Sequence, residues 1–296
     1  MRIALKVDVD TLRGSREGAL RLAEILRRRG AQATFLFSLG PDHTGRSVFR
    51  MFRPELLRKV RRTSVVRHYG IRTLLYGTLL PGPDIGRRAA AEFLQIERAG
   101  FEVGVHAWDH VAWHNRVARA GRAWTRLQMQ RACERFTEIF KRPPIVQGAA
   151  GWQMNAEAFA FEHELGIHYA SDTRGTAPFL PQLKDGRKGV PQLPTTLPTF
   201  DELLGREGWN ATNLHEAVLR ETGKAADHVF TLHAELEGGM LAPAFERLLD
   251  AWRAAGAQLL SLGEYAQSLD LQHLPPAAVE QGRIAGRAGR LAVQRV

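Results

Sequence analysis

Short, nearly unbroken apolar runs recur along this chain, each followed by a longer amphipathic run, and that alternation limits the possible folds more than any other feature. Residues 2–10 carry too little polar alternation for a half-exposed strand, so they predict a strand buried on both faces that ends in acidic residues. A helix should follow: Ser15 can cap it, and Leu20, Leu22, Ile25 and Leu26 form an apolar stripe that stops before Gly30. Residues 33–39, rich in Phe and Leu, predict the second buried strand. The rhythm continues with helix 85–99, strand 101–105, helix 125–140, strand 145–148, helix 156–165, strands 168–171 and 228–232, helix 242–255 and strand 258–261. Strands alternating with helices imply a parallel sheet covered on its outer face, and this many units in 296 residues favours an α/β barrel.

Two stretches break the rhythm. Residues 175–208, with Pro178, Pro181, Pro191, Pro194 and Pro198, read as long active-site loops around a short hairpin. The other, 46–88, is strongly basic. No repeat or linker divides the chain, so residues 1–272 are expected to form one domain and 273–296 an irregular tail rich in Gly and Arg. No run approaches the roughly 18 apolar residues of a membrane span, and residues 1–10 lack the regions of a secretory signal. Cys133, alone of its kind, excludes a disulfide within the chain; its helical surroundings give it a packing role and suit a reducing compartment.

In α/β barrels the chemistry gathers at the carboxyl ends of the strands, where this sequence places Asp8, Asp10, His106, His110, Asp172, His233 and Glu235. Asp8 and Asp10 are two apart, which on a strand turns both carboxylates to one side. Such a pair invites a cation or raises the pKa of one member, unless it is a solvated turn in which Asp10 caps the next helix. His106 and His110, in the run HAWDH, have a spacing of four that presents both imidazoles on one helical face. Two imidazoles and a carboxylate leave coordination positions open for water and substrate, as catalytic rather than structural metal sites do. His233, after an apolar strand, is either a proton donor at the same rim or a packed histidine.

These runs resemble the NodB-type polysaccharide deacetylases, carbohydrate esterase family 4. That family carries an acidic pair on its first strand, a spaced histidine pair and a late Leu and His motif; here DVD, HAWDH and LHAE stand in that order. The runs DVDTLRGSREG, SLGPD, VGVHAWDH, AAGW, SDTRG, LPTT and LPTFDE, and the end of the chain, are similar to members that deformylate 4-deoxy-4-formamido-L-arabinosyl undecaprenyl phosphate. The product of those members is the amino sugar lipid used to modify lipid A in polymyxin resistance.

The resemblance covers essentially the whole chain and implies a distorted (β/α) barrel holding a divalent metal on Asp10, His106 and His110. It makes Asp8 the general base and His233 the general acid, and assigns the backbone N–H groups of Gly151 and Trp152 to the oxyanion. Two departures stand out. Val9 separates aspartates that the family commonly has side by side, which leaves the allocation of Asp8 and Asp10 open. The arginine of the family's third motif is missing from Ala149, Ala150, Gly151 and Trp152, and Arg174, beside Asp172, is the candidate to replace it. Trp152 could also serve as a sugar platform or as core. Zn suits two His and one Asp; Mn, Co, Ni or Fe would fit too. N-deacetylation of another amino sugar or polysaccharide is the alternative activity.

The formal charge of +10 is concentrated in residues 46–88, where eleven Lys or Arg face only Glu55 and Asp84. Large apolar residues such as Phe49, Phe52, Leu56 and Leu57 lie between them. Cations interleaved with aliphatic residues predict a helix lying in the interface of an anionic inner membrane, with the enzyme peripheral on its cytoplasmic face. An ordinary solvated helical insertion is the other reading. A nucleic-acid surface would spread its cations over stacking aromatics instead, so no nucleic-acid partner is expected.

Overall fold

In the computed structural model, which describes residues 1–51, 70–183, 186, 189–223 and 226–295, the first strand, β1 (Arg2–Val9), is buried on both faces. Its odd residues Ile3, Leu5, Val7 and Val9 point outward into one large core with Leu22 and Leu26 of helix Ala19–Arg28 and Phe245 and Leu248 of helix Ala242–Ala254. Ala4 points the other way, into a smaller cluster with Leu36, Val146, Tyr169 and Val229 that plugs the barrel interior. Each large apolar side chain so buried contributes roughly 1.5–3 kcal/mol, which fixes the register of β1 and sends Lys6 and Asp8 inward as well.

β2 (Thr34–Ser38), β3 (Glu102–Ala107), β4 (Val146–Gln147) and β5 (Tyr169–Ala170) follow β1 on one side, and all pair in parallel. A short strand, β6 (Leu180–Gln182), lies outside this sheet. β7 (His228–His233) runs along the other side of β1, and β8 (Gln258–Leu260) pairs with its first residues. The result is a curled seven-stranded sheet in the order β5, β4, β3, β2, β1, β7, with helices outside. Irregular backbone from the proline-rich stretch spans the gap between the sheet's ends. Leu193 N–H donates to Ala170 O beside β5, and Thr196 N–H donates to Val229 O on β7. These prolines cannot donate to a ladder, so the barrel closes on a few isolated backbone bonds, with Ala170 N–H also donating to Pro191 O and Leu197 N–H to Val229 O, rather than on a strand.

Helices the periodicity did not predict include His110–Arg116, Leu214–Thr222 and Leu262–Gln267. The first is capped by Asp109, which accepts from Ala112 N, and the last by a capping box of Ser261 and Glu264. All are short, so caps and tertiary packing define them better than repeat pattern does. The expected irregular tail is instead a hairpin of β9 (Pro276–Gly282) and β10 (Leu291–Gln294), with β9 parallel to β6. Leu291 and Ala292 are buried, and Arg174 and Ala292 bond through their backbones. Cys133 is buried, and burial pushes its thiol up to about 12. Of the basic stretch, 52–69 lie outside the described residues, and with them most of the expected interfacial helix. Its flanks are helices Thr44–Met51 and Ile71–Leu75. No helix among the described residues is long and apolar enough to cross a membrane.

Candidate active site

The inward face of β1 delivers Lys6 and Asp8 up the barrel, and β7 places His233 directly opposite Asp8 in the register. Beyond the strand end, Asp10 is turned by Glu235, whose Oε1 accepts from the N–H of Asp10 (3.1 Å), the N–H of Thr11 (2.9 Å) and the hydroxyl of Thr11 (2.8 Å). Glu237 similarly ties down the backbone of His233, accepting its N–H at 2.7 Å. Burial raises both carboxyls, Glu235 to about 8, with the Asp10 charge adding to the effect, and Glu237 to about 7.

Asp10, His106 and His110 converge so that one ligand atom from each lies within 4.8 Å of the others. His106 Nδ1 stands 2.6 Å from Gly148 O, a contact that assigns the ring proton to Nδ1 and leaves Nε2 as a lone pair. That nitrogen faces Asp10 Oδ1 across 3.2 Å, and His110 Nε2 faces Asp10 Oδ2 across 3.4 Å. Asp10 Oδ1 is buried and has no hydrogen-bond donor among the described residues. Acceptors packed this closely repel unless a cation or an extra proton sits between them. The donor set therefore fits a divalent metal held by nitrogen and carboxylate oxygen. Electrostatics agree. Burial works against ionisation of Asp10, but His110 and His106 outweigh it and hold the carboxyl below its usual range. Burial brings His110 down to about 4, keeping it a neutral ligand. At His106 burial is overcome by the charges of Asp8 and Asp10, which raise it.

Asp8 stands outside this triad. Its Oδ1 lies 3.6 Å from His106 Nδ1, buried and with no hydrogen-bond donor among the described residues, and its Oδ2 lies 3.3 Å from Lys6 Nζ. Lys6 is 0% exposed, donates to Ser171 O at 3.0 Å and sits 5.1 Å from the centre of the Trp152 ring. A Cβ on Gly148 would stand 2.7 Å from Lys6 Cε, so glycine there makes the room that the buried ammonium occupies.

The cation beside Asp8 is therefore Lys6, and the expectation for Arg174 is corrected. Arg174 is consumed by Glu202, Thr195 O (3.1 Å) and Leu197 O (2.9 Å). Asp172 is likewise structural: fully buried, it accepts from Ala149 N at 2.6 Å and Gln192 Nε2 at 3.1 Å, and burial raises its pKa. Trp152 is no sugar platform. Its ring is buried, its Nε1 donates to Thr195 Oγ1 at 3.1 Å, and its backbone N–H is already given to Ala149 O. Gly151, in the middle of the same turn, lies against His114, a fourth histidine beside the site that sequence reasoning passed over.

His233 Nδ1 is buried without a hydrogen-bond partner among the described residues and lies 3.7 Å from Asp201 Oδ1. Burial opposes its protonation, but Asp201 and then Asp10 raise it, a bias suited to a proton donor. Asp201 stands in the run LPTFDE, which carried a resemblance but no role for this residue, and Arg287, which carried no signal beyond its charge, pairs with it.

A curled parallel α/β barrel with an Asp, His, His cluster at the carboxyl ends of its strands is the architecture of NodB-type deacetylases, metal-dependent hydrolases of carbohydrate esterase family 4. A Mycobacterium smegmatis crystal structure described as a polysaccharide deacetylase superposes with a TM-score of 0.66 at 17% identity, covering 96% of this chain and 94% of that one. No family model matches the chain. A Shewanella sediminis protein named "Probable 4-deoxy-4-formamido-L-arabinose-phosphoundecaprenol deformylase ArnD" is 33% identical over 293 residues, covering 99% of this chain and 94% of the relative. A protein of the same name from Wigglesworthia glossinidia brevipalpis is 29% identical over 95% of this chain and 98% of its own length. The chain belongs to this ArnD deformylase family, whose members are hydrolases of linear amides.

Proposed function

We propose that this protein removes the formyl group from 4-deoxy-4-formamido-L-arabinosyl undecaprenyl phosphate, using Asp10, His106 and His110 to hold a divalent metal, with Zn best matched to that donor set. The observation that carries the reading is the convergence of Asp10, His106 and His110, flanked by Asp8 on one side and His233 on the other, in a chain related to named deformylases along its full length. When bound, the metal polarises the formyl carbonyl and makes water a better nucleophile. Asp8 takes the proton that the attacking water loses, its buried Oδ1 having no competing donor among the described residues and its Oδ2 held by Lys6. His233, raised by Asp201, gives a proton to the departing amine. The backbone N–H of Gly151, which is given to no acceptor among the described residues, is the candidate oxyanion donor of its turn.

The enzyme works at an anionic membrane surface on the cytoplasmic side. Support comes from the charge of residues 46–88 and from Ile71 and Leu79, which are 69% and 73% exposed beside that segment. The deciding experiment offers purified protein and added divalent metals both formylated and acetylated aminoarabinosyl polyprenyl phosphates, with products read by mass spectrometry. Loss of formate alone supports the reading. Preferential loss of acetate would make the protein an N-deacetylase, and no turnover of either would refute it.

A further inference from the structure

The turn between β9 and β10 reaches back to the mouth of the barrel. Gly286 adopts a φ of +88°, and a Cβ on it would stand 2.3 Å from Glu202 O, so glycine lets the turn lie directly on helix Phe200–Leu203. The next residue is Arg287, with a side chain 17% exposed. Its Nε pairs with Glu202 Oε1 at 3.0 Å, its Nη2 with Asp201 Oδ2 at 3.0 Å, and its guanidinium lies 4.4 Å from the centre of the Trp152 ring. Arg174 already satisfies Glu202, so Asp201 is the carboxylate for which Arg287 is the principal cation. The other Asp201 oxygen, Oδ1, accepts from Thr199 Oγ1 at 2.5 Å and faces His233 Nδ1. The turn is fixed in turn by Gln153 Nε2, which donates to Arg290 O at 2.7 Å, and by the buried Leu291 and Ala292.

We propose that Arg287 is a positioning residue for the proton donor: clamped on Trp152, it holds one oxygen of Asp201 so that the other is aimed at His233 Nδ1. The hairpin of β9 and β10 is then part of the active site, although it lies far from the other site residues in sequence. This inference rests on His233 acting as the proton donor. A guanidinium suits the task because its planar fork grips two neighbouring carboxylates while its face stacks on indole, which an ammonium cannot do equally well.

The test compares wild type with Arg287→Ala, Arg287→Lys, Asp201→Asn, Arg287→Ala combined with Asp201→Asn, and His233→Ala, on a formylated short-chain substrate analogue. Arg287→Ala should lower kcat about 10- to 100-fold, the usual scale for removing a group that orients a reacting one, while KM and bound metal stay near wild type. Lysine should restore part of the loss, and added methylguanidinium should rescue the alanine variant but not wild type. The double variant should be no slower than Asp201→Asn alone, because the arginine acts through that carboxylate. In the metal-free protein, the His233 ring resonances should shift in Arg287→Ala, a readout independent of turnover. An inactive His233→Ala alongside an unimpaired Arg287→Ala would overturn the inference and leave the proposed function standing. A fully active His233→Ala would overturn both. Additive losses in the double variant, or unchanged His233 resonances, would reduce Arg287 to a structural clamp and refute the proposal.

Discussion

The two halves of the active site are balanced in opposite ways. On one side the Asp10 carboxylate meets the ring nitrogens of His106 and His110, with no Lys or Arg among the described residues paired to Asp10. On the other, Asp201 and Glu202 are matched by Arg174 and Arg287, and the Trp152 ring lies within cation–π reach of Lys6, Arg174 and Arg287. On the proposed function the first half takes its positive charge from a bound divalent ion, whereas the second carries its own charges. A site built this way separates metal capture from proton delivery, so the two can be broken independently.

The largest effects belong to the first half. His106→Ala or His110→Ala should abolish both bound metal and turnover, since losing one of three ligands leaves too little coordination. Added divalent metal should raise the melting temperature of wild type and leave these variants unmoved. Full metal occupancy in either variant, measured by elemental analysis, would remove the assignment.

Next come the proton carriers. Asp8→Asn and His233→Ala should keep their metal and lose about 10²- to 10⁴-fold in kcat, the range typical of a positioned acid or base. Should Asp8→Asn lose metal while Asp10→Asn retains it, the two aspartates have exchanged roles.

Lys6 joins the two halves, and its replacement sharpens the contrast. Lys6→Met should destabilise the fold by about 3–5 kcal/mol, because it strands the buried Asp8 carboxylate without its partner. Combining it with Asp8→Asn should recover much of that loss in denaturant titrations. Equal stability of Lys6→Met and wild type would mean that the ion pair contributes nothing.

The smallest effect on chemistry is expected furthest from the site. Arg58, Lys59, Arg61 and Arg62 changed together to Gln should weaken flotation with phosphatidylglycerol liposomes, each cation near the surface contributing roughly 1 kcal/mol. Turnover of a water-soluble analogue should be unaltered. Identical liposome binding by the two proteins would disprove membrane attachment through this segment.

The sequence by itself determined the barrel's strands and the rim of acids and histidines, because buried parallel strands must be apolar throughout and so leave their polar residues conspicuous at the ends. Asp8, Asp10, His106, His110 and His233 were all legible in this way. The partners of those groups were not. Lys6 carried no reading of its own in the sequence, and only the inward pleat of β1 with the space above Gly148 turned it toward Asp8. Arg174 stood near the right motif, but the fold spends it on Glu202 and backbone carbonyls. Arg287 lay in a stretch with no hydrophobic period, and its place is set by β9 pairing with β6, a contact nearly a hundred residues distant in sequence. Local pattern reports which residues must be buried or must end a strand. Which charges meet inside the barrel depends on the docking of distant segments, and that only the tertiary structure decided.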